Sequence, residues 1–356
     1  FSWNITTVEG PEGVADLLRN TDAGATDFRT TEEPAEADGV TRIEGRIDEV
    51  QQDSESGNVT ALKLQSGTVI EGDLFIDCTG FRGMLIEDTL KTGYDDWSEW
   101  LPANRAVAVQ TQSVGDPVPY TRSIAHEAGW RWQIPLQHRT GNGIVYSSEF
   151  LADDAAVQLL RDSVGGEMLT EPRRIRFVTG KRRKVWNKNV IAIGLSSGFV
   201  EPLESTSIHL FKIAVTRLIQ MFPFGGISNA LVERYNQIAT REIESVRDFI
   251  IAHYHVTRRT EPLWEYCRNM AIPDSLAERL ALFREQGHAF QGSDDLFRVD
   301  SWVQVLMGQG IMPQSHHPVA ALMPAGRLEQ ALGDLRRGIQ GAGSAMPMHR
   351  AFVESY

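Results

Sequence analysis

The 356-residue sequence predicts an α/β fold, and three observations carry that prediction. Two short apolar runs end in glycine turns: Asp73-Leu74-Phe75-Ile76-Asp77-Cys78 before Thr79-Gly80, and Asn189-Val190-Ile191-Ala192-Ile193 before Gly194. Runs of this kind suit buried central strands. Residues 41–150 contain short alternating segments, the period of half-buried strands. From residue 208 onward, apolar residues recur at helical spacing.

Residues 1–38 are weakly patterned and read as an irregular lead-in with one short helix at 10–18. Strands follow at 41–50, 59–64 and 69–70, with turn chemistry at 53–57. The buried run at 73–78 completes this part. Residues 105–150 hold several more strands, separated by turns such as Gly115-Asp116-Pro117 and Gly141-Asn142-Gly143. Residues 153–162 open with a capping acid and read as a helix. The Gly/Ser/Pro-rich connection at 195–206 leads into a helix over 208–221. Its wide buried face comprises Ile208, Phe211, Ile213, Ala214, Val215, Leu218, Ile219 and Phe222. Helices follow at 229–255, 274–286, 301–306 and 327–338, with a break at 313–318, and the tail after Gly341 reads as loose. The organisation expected is a lead-in (1–38), an α/β module with an inserted sheet (39–221) and a mostly helical region (222–356).

Composition narrows the function. Net charge is −12, from 35 basic and 47 acidic residues, which argues against non-specific nucleic-acid binding. The two cysteines, Cys78 and Cys267, form no disulfide framework, so a reducing cytoplasmic setting is expected. No apolar run reaches the ~20 residues of a membrane helix, and no signal-peptide pattern is present. The chain opens on Phe1 rather than Met.

The connection Gly194-Leu195-Ser196-Ser197-Gly198-Phe199-Val200-Glu201-Pro202-Leu203-Glu204-Ser205-Thr206-Ser207 is the first candidate site. A strand that ends in glycine and hands over to a helix presents free N–H groups and a positive dipole end to an anion. Ser205, Thr206 and Ser207 can each cap the helix, so spacing alone also allows a plain capped helix with acids near its positive dipole end. Asp77-Cys78-Thr79-Gly80-Phe81-Arg82-Gly83 follows the same logic, because glycine lets a dinucleotide approach the backbone. The fingerprint G-x-G-x-x-G does not occur. In a strand, Trp130 and Trp132 share a face and form a rigid apolar wall, either as a core ladder or beside a cofactor. Lys181-Arg182-Arg183-Lys184 reads as a solvated turn or a support for phosphate. His253 and His255 face different ways on a helix, and no metal site is expected there. Trp264, Tyr266 and Trp302 suit core packing better than a pocket, with Trp302 the candidate for substrate contact.

These residues carry a resemblance. Trp130-x-Trp132-x-Ile134-Pro135 matches the W-x-W-x-I-P signature of flavin-dependent halogenases. Gly198-Phe199-Val200-Glu201-Pro202-Leu203-Glu204-Ser205-Thr206 resembles their second characteristic stretch, and residues 73–83 look like their second flavin strand. The sequence most resembles the tryptophan-halogenase branch, over roughly residues 39–320. The resemblance implies an FAD-binding module of the p-hydroxybenzoate-hydroxylase type, truncated here, with a mostly helical substrate-pocket region. It implies reduced FAD from a separate flavin reductase, dioxygen, and chloride or bromide as co-substrate. Together these give a hypohalous acid that halogenates tryptophan or an indole-like ring.

By the same resemblance, Glu204 matches the catalytic glutamate, and a carboxylate held by N–H groups at a helix start suits a base. Thr206 and Ser207 match the halide pair, although the tryptophan-specific enzymes more often carry glycine at the second position. Leu195, Ser205 and Ile208 match flavin contacts, Ile47 matches a contact on the adenine side, and Gly80 lies in the second flavin turn. Trp130 and Trp132 match the wall between flavin and substrate, through which only a small oxidant passes. The family's catalytic lysine and its Gly-rich loop, both from its N-terminal third, have no match here; Lys91 and Lys181 lie in other contexts. Two rival readings remain: a flavin monooxygenase that hydroxylates its substrate directly, and a truncated inactive homologue. No nucleic acid or membrane partner is expected, and a homodimer is compatible with all of this.

Overall fold

The computed structural model describes residues 5–9 and 40–355. The elements, in order, are β1 (Ile5–Glu9), β2 (Ile47–Gln52), β3 (Val59–Leu64), β4 (Val69–Glu71), β5 (Leu74–Cys78), β6 (Tyr94–Asp96), β7 (Arg105–Thr111), β8 (Arg122–His126), β9 (Gly129–Pro135), β10 (Thr140–Tyr146), α1 (Asp153–Ser163), β11 (Arg173–Arg176), β12 (Gly180–Arg182), β13 (Trp186–Asn187), β14 (Val190–Ala192) and β15 (Gly198–Phe199). Helices α2 (Ser207–Gln220), α3 (Asn229–His255), α4 (Pro262–Asn269), α5 (Asp274–Gln286), α6 (Val299–Gly308), α7 (Ala325–Ala345) and α8 (His349–Val353) follow. The chain divides into two compact units, Phe1–Trp97 with Val178–Arg247, and Ser98–Phe177 with Asp248–Tyr356. The boundary between the units falls inside α3, and the segment Ser98–Phe177 groups with the C-terminal helices.

In the first unit, β5 is the central strand of the order β1-β5-β14-β13, parallel to β1 and β14. Both faces of β5 are covered, which explains its unbroken apolar run. Phe75, Val190 and Ala192 face one cluster with Val59, Leu62, Leu85 and Ile86. Leu74, Ile76 and Ile191 face the other, with Trp186, Tyr235 and the half-buried residues Ala214 and Leu218 of α2. Asn189 stitches the meander β2-β3-β4 to this sheet. Its amide donates to Val59 O (2.7 Å) and Asp73 O (3.1 Å), and its oxygen accepts from Val59 N (2.9 Å).

Several expectations change here. Part of the lead-in, Ile5–Glu9, is a strand paired in register with β5; the helix expected at 10–18 lies outside the described residues. The face of α2 is only half covered, since Ile208 and Ile219 are 65 % and 70 % exposed. Lys181 and Arg182 are buried in β12, not solvated. Glu87 and Asp95, which pair with them, are remote in sequence, so the charge run misleads when read locally.

The second unit holds the antiparallel sheet β11-β7-β10-β9-β8. Gly141-Asn142-Gly143 lies within β10 and is no turn. One face of the sheet carries Val107, Val109, Ile144 and Tyr146, on which α1 lays Ala156 and Leu160. In the helical part, α7 continues to Ala345 and α8 follows, so the tail after Gly341 is ordered helix rather than loose chain. Among the described residues no helix is long and apolar enough to cross a membrane.

Candidate functional site

Two strand-end turns of the first unit pack side by side, and helix α2 packs on the second of them. The first turn is organised by Asp77, which is wholly buried. One carboxylate oxygen accepts from Thr79 N (2.9 Å) and Thr79 Oγ1 (2.7 Å); the other accepts from Leu85 N and Ile86 N (both 2.8 Å). Thr79 Oγ1 accepts in turn from Met84 N (2.6 Å). The free N–H groups of the helical turn Met84–Thr89 are therefore capped from the strand below. Gly80 and Gly83 take φ of +72° and +58°, which this tight reversal requires.

The second turn, Gly194–Ser196, ends β14. Gly194 has φ +75°, and nothing lies within 4 Å of where a Cβ would stand, so its backbone is open to close approach. The Ser196 hydroxyl donates to the Asp77 carbonyl, joining the two turns. Arg182 joins them again. Its Nε donates to Ser196 O (3.0 Å), Nη2 to Phe81 O (3.3 Å) and Nη1 to Glu87 (2.9 Å), and its guanidinium lies over the Tyr94 ring at 5.0 Å. Burial pushes the Tyr94 phenol well above its ordinary range, so it stays a neutral donor to Val178 O.

The chain then passes through a 3-10 turn, Pro202–Glu204, and Ser205 adopts φ +53°, a left-handed conformation unusual for a non-glycine residue. That reversal delivers Thr206 to the N-cap of α2. Thr206 is buried, yet its side chain makes no capping bond. Ser205, Ser207 and Ile208 are exposed, and Glu204 and Leu195 are half-buried. A stretch from Glu204 to Ile208 thus stands at a helix N-terminus whose first turn has no side-chain cap, an arrangement that holds anions. The open Gly194 backbone and this helix start leave room for an anionic group to approach backbone N–H donors. Ile47, in contrast, is on β2, packed against the core of Val59, Leu62 and Phe75.

In the second unit, the register sets two rows across the sheet face opposite α1. One is Ala108, Gly143, Trp132, Ser123; the other is Ala106, Val145, Trp130, Ala125. The two indoles therefore share a face, as the alternation predicts, with small residues beside them. Their ring centroids are 5.9 Å apart at 54°. Reading the sequence alone missed the glycines of β10. The signal that finds them is the pairing of Gly143 with Trp132 and of Gly141 with Ile134.

Trp302 is 2 % exposed, edge-on to Phe249 (4.8 Å) and capped by the Arg279 guanidinium at 4.4 Å. Trp264 stacks on Tyr254 and donates to His126 O (2.6 Å), whereas Tyr266 is partly exposed. His253 and His255 bond the carbonyls of Phe249 and Cys267, two different places. A recess of about 540 Å³ lined by Phe283, His288, Val303, Met307, Pro313 and His316 includes none of the expected site residues.

The family model described as tryptophan halogenase matches residues 27–325. The tryptophan 7-halogenase RebH of Lentzea aerocolonigenes is 34 % identical over 306 residues, 80 % of this chain and 58 % of that protein. Among solved structures, Xcc4156, a flavin-dependent halogenase from Xanthomonas campestris, superposes with a TM-score of 0.90 at 50 % identity, covering 92 % of this chain and 66 % of that one. BrvH, a flavin-dependent halogenase from Brevundimonas sp. BAL3, gives 0.89 at 42 %, covering 92 % and 67 %. The chain spans 58–64 % of the length of the first curated relatives it matches.

Proposed function

Since the chain belongs to the tryptophan halogenase family, we propose that it carries out the flavin-dependent halogenation of an electron-rich aromatic ring, tryptophan or an indole-like compound. The observation that carries this reading is helix α2, which packs on the open Gly194 turn and whose N-cap Thr206 makes no side-chain cap. When bound, reduced FAD from a separate reductase would supply two electrons and two protons, which with dioxygen, halide and one further proton give hypohalous acid and water. Gly80, Gly194, Leu195, Ser205 and Ile208 hold the flavin, with Ile47 assigned to its adenine side. The backbone at Thr206 and Ser207 holds chloride or bromide, where helix-end N–H groups replace the water of an anion.

Trp130 and Trp132 form a wall that a small oxidant passes and an organic substrate does not. The ring attacks the electrophilic halogen, and Glu204 takes up the proton that the ring carbon loses, so that halogenated ring and water leave. Trp302 is assigned to the substrate side; being buried against Phe249 and Arg279, it would act there through packing rather than by direct contact.

The test supplies the chain with FAD, a flavin reductase, bromide and indole, and reads products by mass spectrometry. Brominated indole that disappears in Glu204→Gln, with flavin affinity retained, is the expected result; a loss of about 100-fold or more is typical for removing such a proton acceptor. Full turnover in Glu204→Gln would overturn its role. A hydroxylated product formed without halide would replace the whole reading with direct oxygen transfer.

A further inference from the structure

The two glycines of β10 look equivalent in sequence and differ in space. At Gly141 a Cβ would meet nothing closer than Ile134 at 3.9 Å, so a methyl group fits. At Gly143 a Cβ would lie 1.9 Å from Cζ2, 2.2 Å from Cη2 and 2.4 Å from Cε2 of Trp132. Gly143 is not among the residues with positive φ, so backbone conformation does not require glycine there. What requires it is the indole, whose six-membered ring lies directly against the bare strand. The strand itself is pinned from its opposite face, where the Asn142 amide donates to Thr111 Oγ1 (3.0 Å).

We infer that Gly143 is a positioning residue: its missing side chain sets the Trp132 ring against β10, and through that ring the passage along the tryptophan wall. A methyl group at Gly143 cannot coexist with the ring as placed. The ring must swing away from the strand, changing its angle to Trp130 and so the shape of the wall. Oxidant that cannot pass decays elsewhere, so flavin is consumed with less ring halogenated. The placement of the ring stands on geometry alone; its effect on the passage rests on the function proposed above.

The experiment compares the wild-type chain with Gly143→Ala, Gly141→Ala, Trp132→Leu and the double variant Trp132→Leu/Gly143→Ala. The first readout, which needs no flavin, is the exciton band of the paired indoles in circular dichroism, taken as the difference from Trp132→Leu. Gly143→Ala should lose more than about half of that band, while Gly141→Ala keeps it. The second readout is halogenated product per reduced flavin consumed. It should fall about tenfold in Gly143→Ala at unchanged flavin affinity, the scale of a misplaced positioning group. In the Trp132→Leu background, Gly143→Ala should have no further effect on melting temperature or product ratio, as coupled neighbours require.

An unchanged exciton band in Gly143→Ala would overturn the inference. If Gly143→Ala does not fold but the double variant does, the steric pairing stands; if neither folds, it falls. A lost band with an unchanged product ratio would overturn the effect on the passage and leave the ring placement. A wild-type chain that makes no halogenated product would sink the proposed function, and the band would still judge Gly143.

Discussion

The strand-end turns of the first unit are held by buried polar atoms, whereas the tryptophan face of the second is held by shape. In the turns, Asp77 accepts four hydrogen bonds and Arg182 donates to two carbonyls and a carboxylate. On the sheet, Trp132 rests on a glycine, with Ala108 beyond it and Ser123 on its other side. The difference teaches where each region is vulnerable. A polar network fails when one member leaves and the remaining groups stay buried without partners. A wall of rings fails when a neighbour grows. Substitutions in the turns should therefore act first on stability, and those on the tryptophan face first on what the site does.

The sharpest way to break this contrast is Asp77→Ala. It strands two backbone N–H groups of the capped turn and the N–H and hydroxyl of Thr79, and should cost more than about 4 kcal/mol in urea unfolding, since each buried unsatisfied donor costs about 1–3. Asp77→Asn keeps one accepting oxygen and should lose roughly half as much. A loss below about 1 kcal/mol for Asp77→Ala would mean that the turn does not depend on its cap.

Arg182→Lys sharpens the comparison. A lysine keeps the charge but cannot span Ser196 O, Phe81 O and Glu87 at once, so about 2–3 kcal/mol should be lost, together with flavin affinity. Binding measured by flavin fluorescence should weaken in parallel with the midpoint of unfolding. Unchanged binding would separate the clamp from the cofactor.

In the second unit the expected effect depends on pH. Burial holds His126 at about 4 rather than its ordinary 6.5. Between those values the unfolded chain binds a proton that the folded chain refuses, so stability should fall as pH drops from about 6.5 towards 4. In His126→Gln that part of the slope should vanish from unfolding midpoints measured across this range. The smallest effect should come from Trp132→Phe. The ring is half-buried, so the stability cost stays under about 1 kcal/mol, while product per flavin consumed changes. A large loss of stability there would make the face part of the core.

Much of the fold was legible in the sequence. The glycine-terminated runs became β5 and β14, and helices were expected at the very bounds of α3 and α5. These are features that local patterning determines: a strand covered on both faces is apolar throughout, and a long amphipathic helix keeps its period. What escaped depends on distant partners. Gly141-Asn142-Gly143 carries the composition of a turn, but its neighbours in β7 and β9 make it a strand. Lys181-Arg182 carries the composition of a solvated run, but Asp95 and Glu87 draw it inside. The candidate site divided in the same way. That Glu204 to Ile208 stand at a helix start was legible because they are contiguous, whereas Asp77 and Arg182 act through bonds that no local pattern announces.

The discontinuity of the first unit has a consequence for the order of events during synthesis. Every strand of the five-stranded sheet lies between Arg105 and Arg176, so that sheet has all its partners as soon as residue 176 has emerged. The central strand of the first unit waits longer, because Phe75 is registered with Val190 and the covering helices run on to Arg247. At about 5–20 residues per second, the interval from residue 176 to the completed unit lasts several seconds. Throughout it, one edge of the apolar strand Leu74–Cys78 lies open, the kind of edge that recruits other chains. Slower, cooler expression shortens no part of that wait, but it lowers the concentration of neighbours able to exploit it. The yield of folded protein should follow the rate of initiation more closely than the rate of elongation.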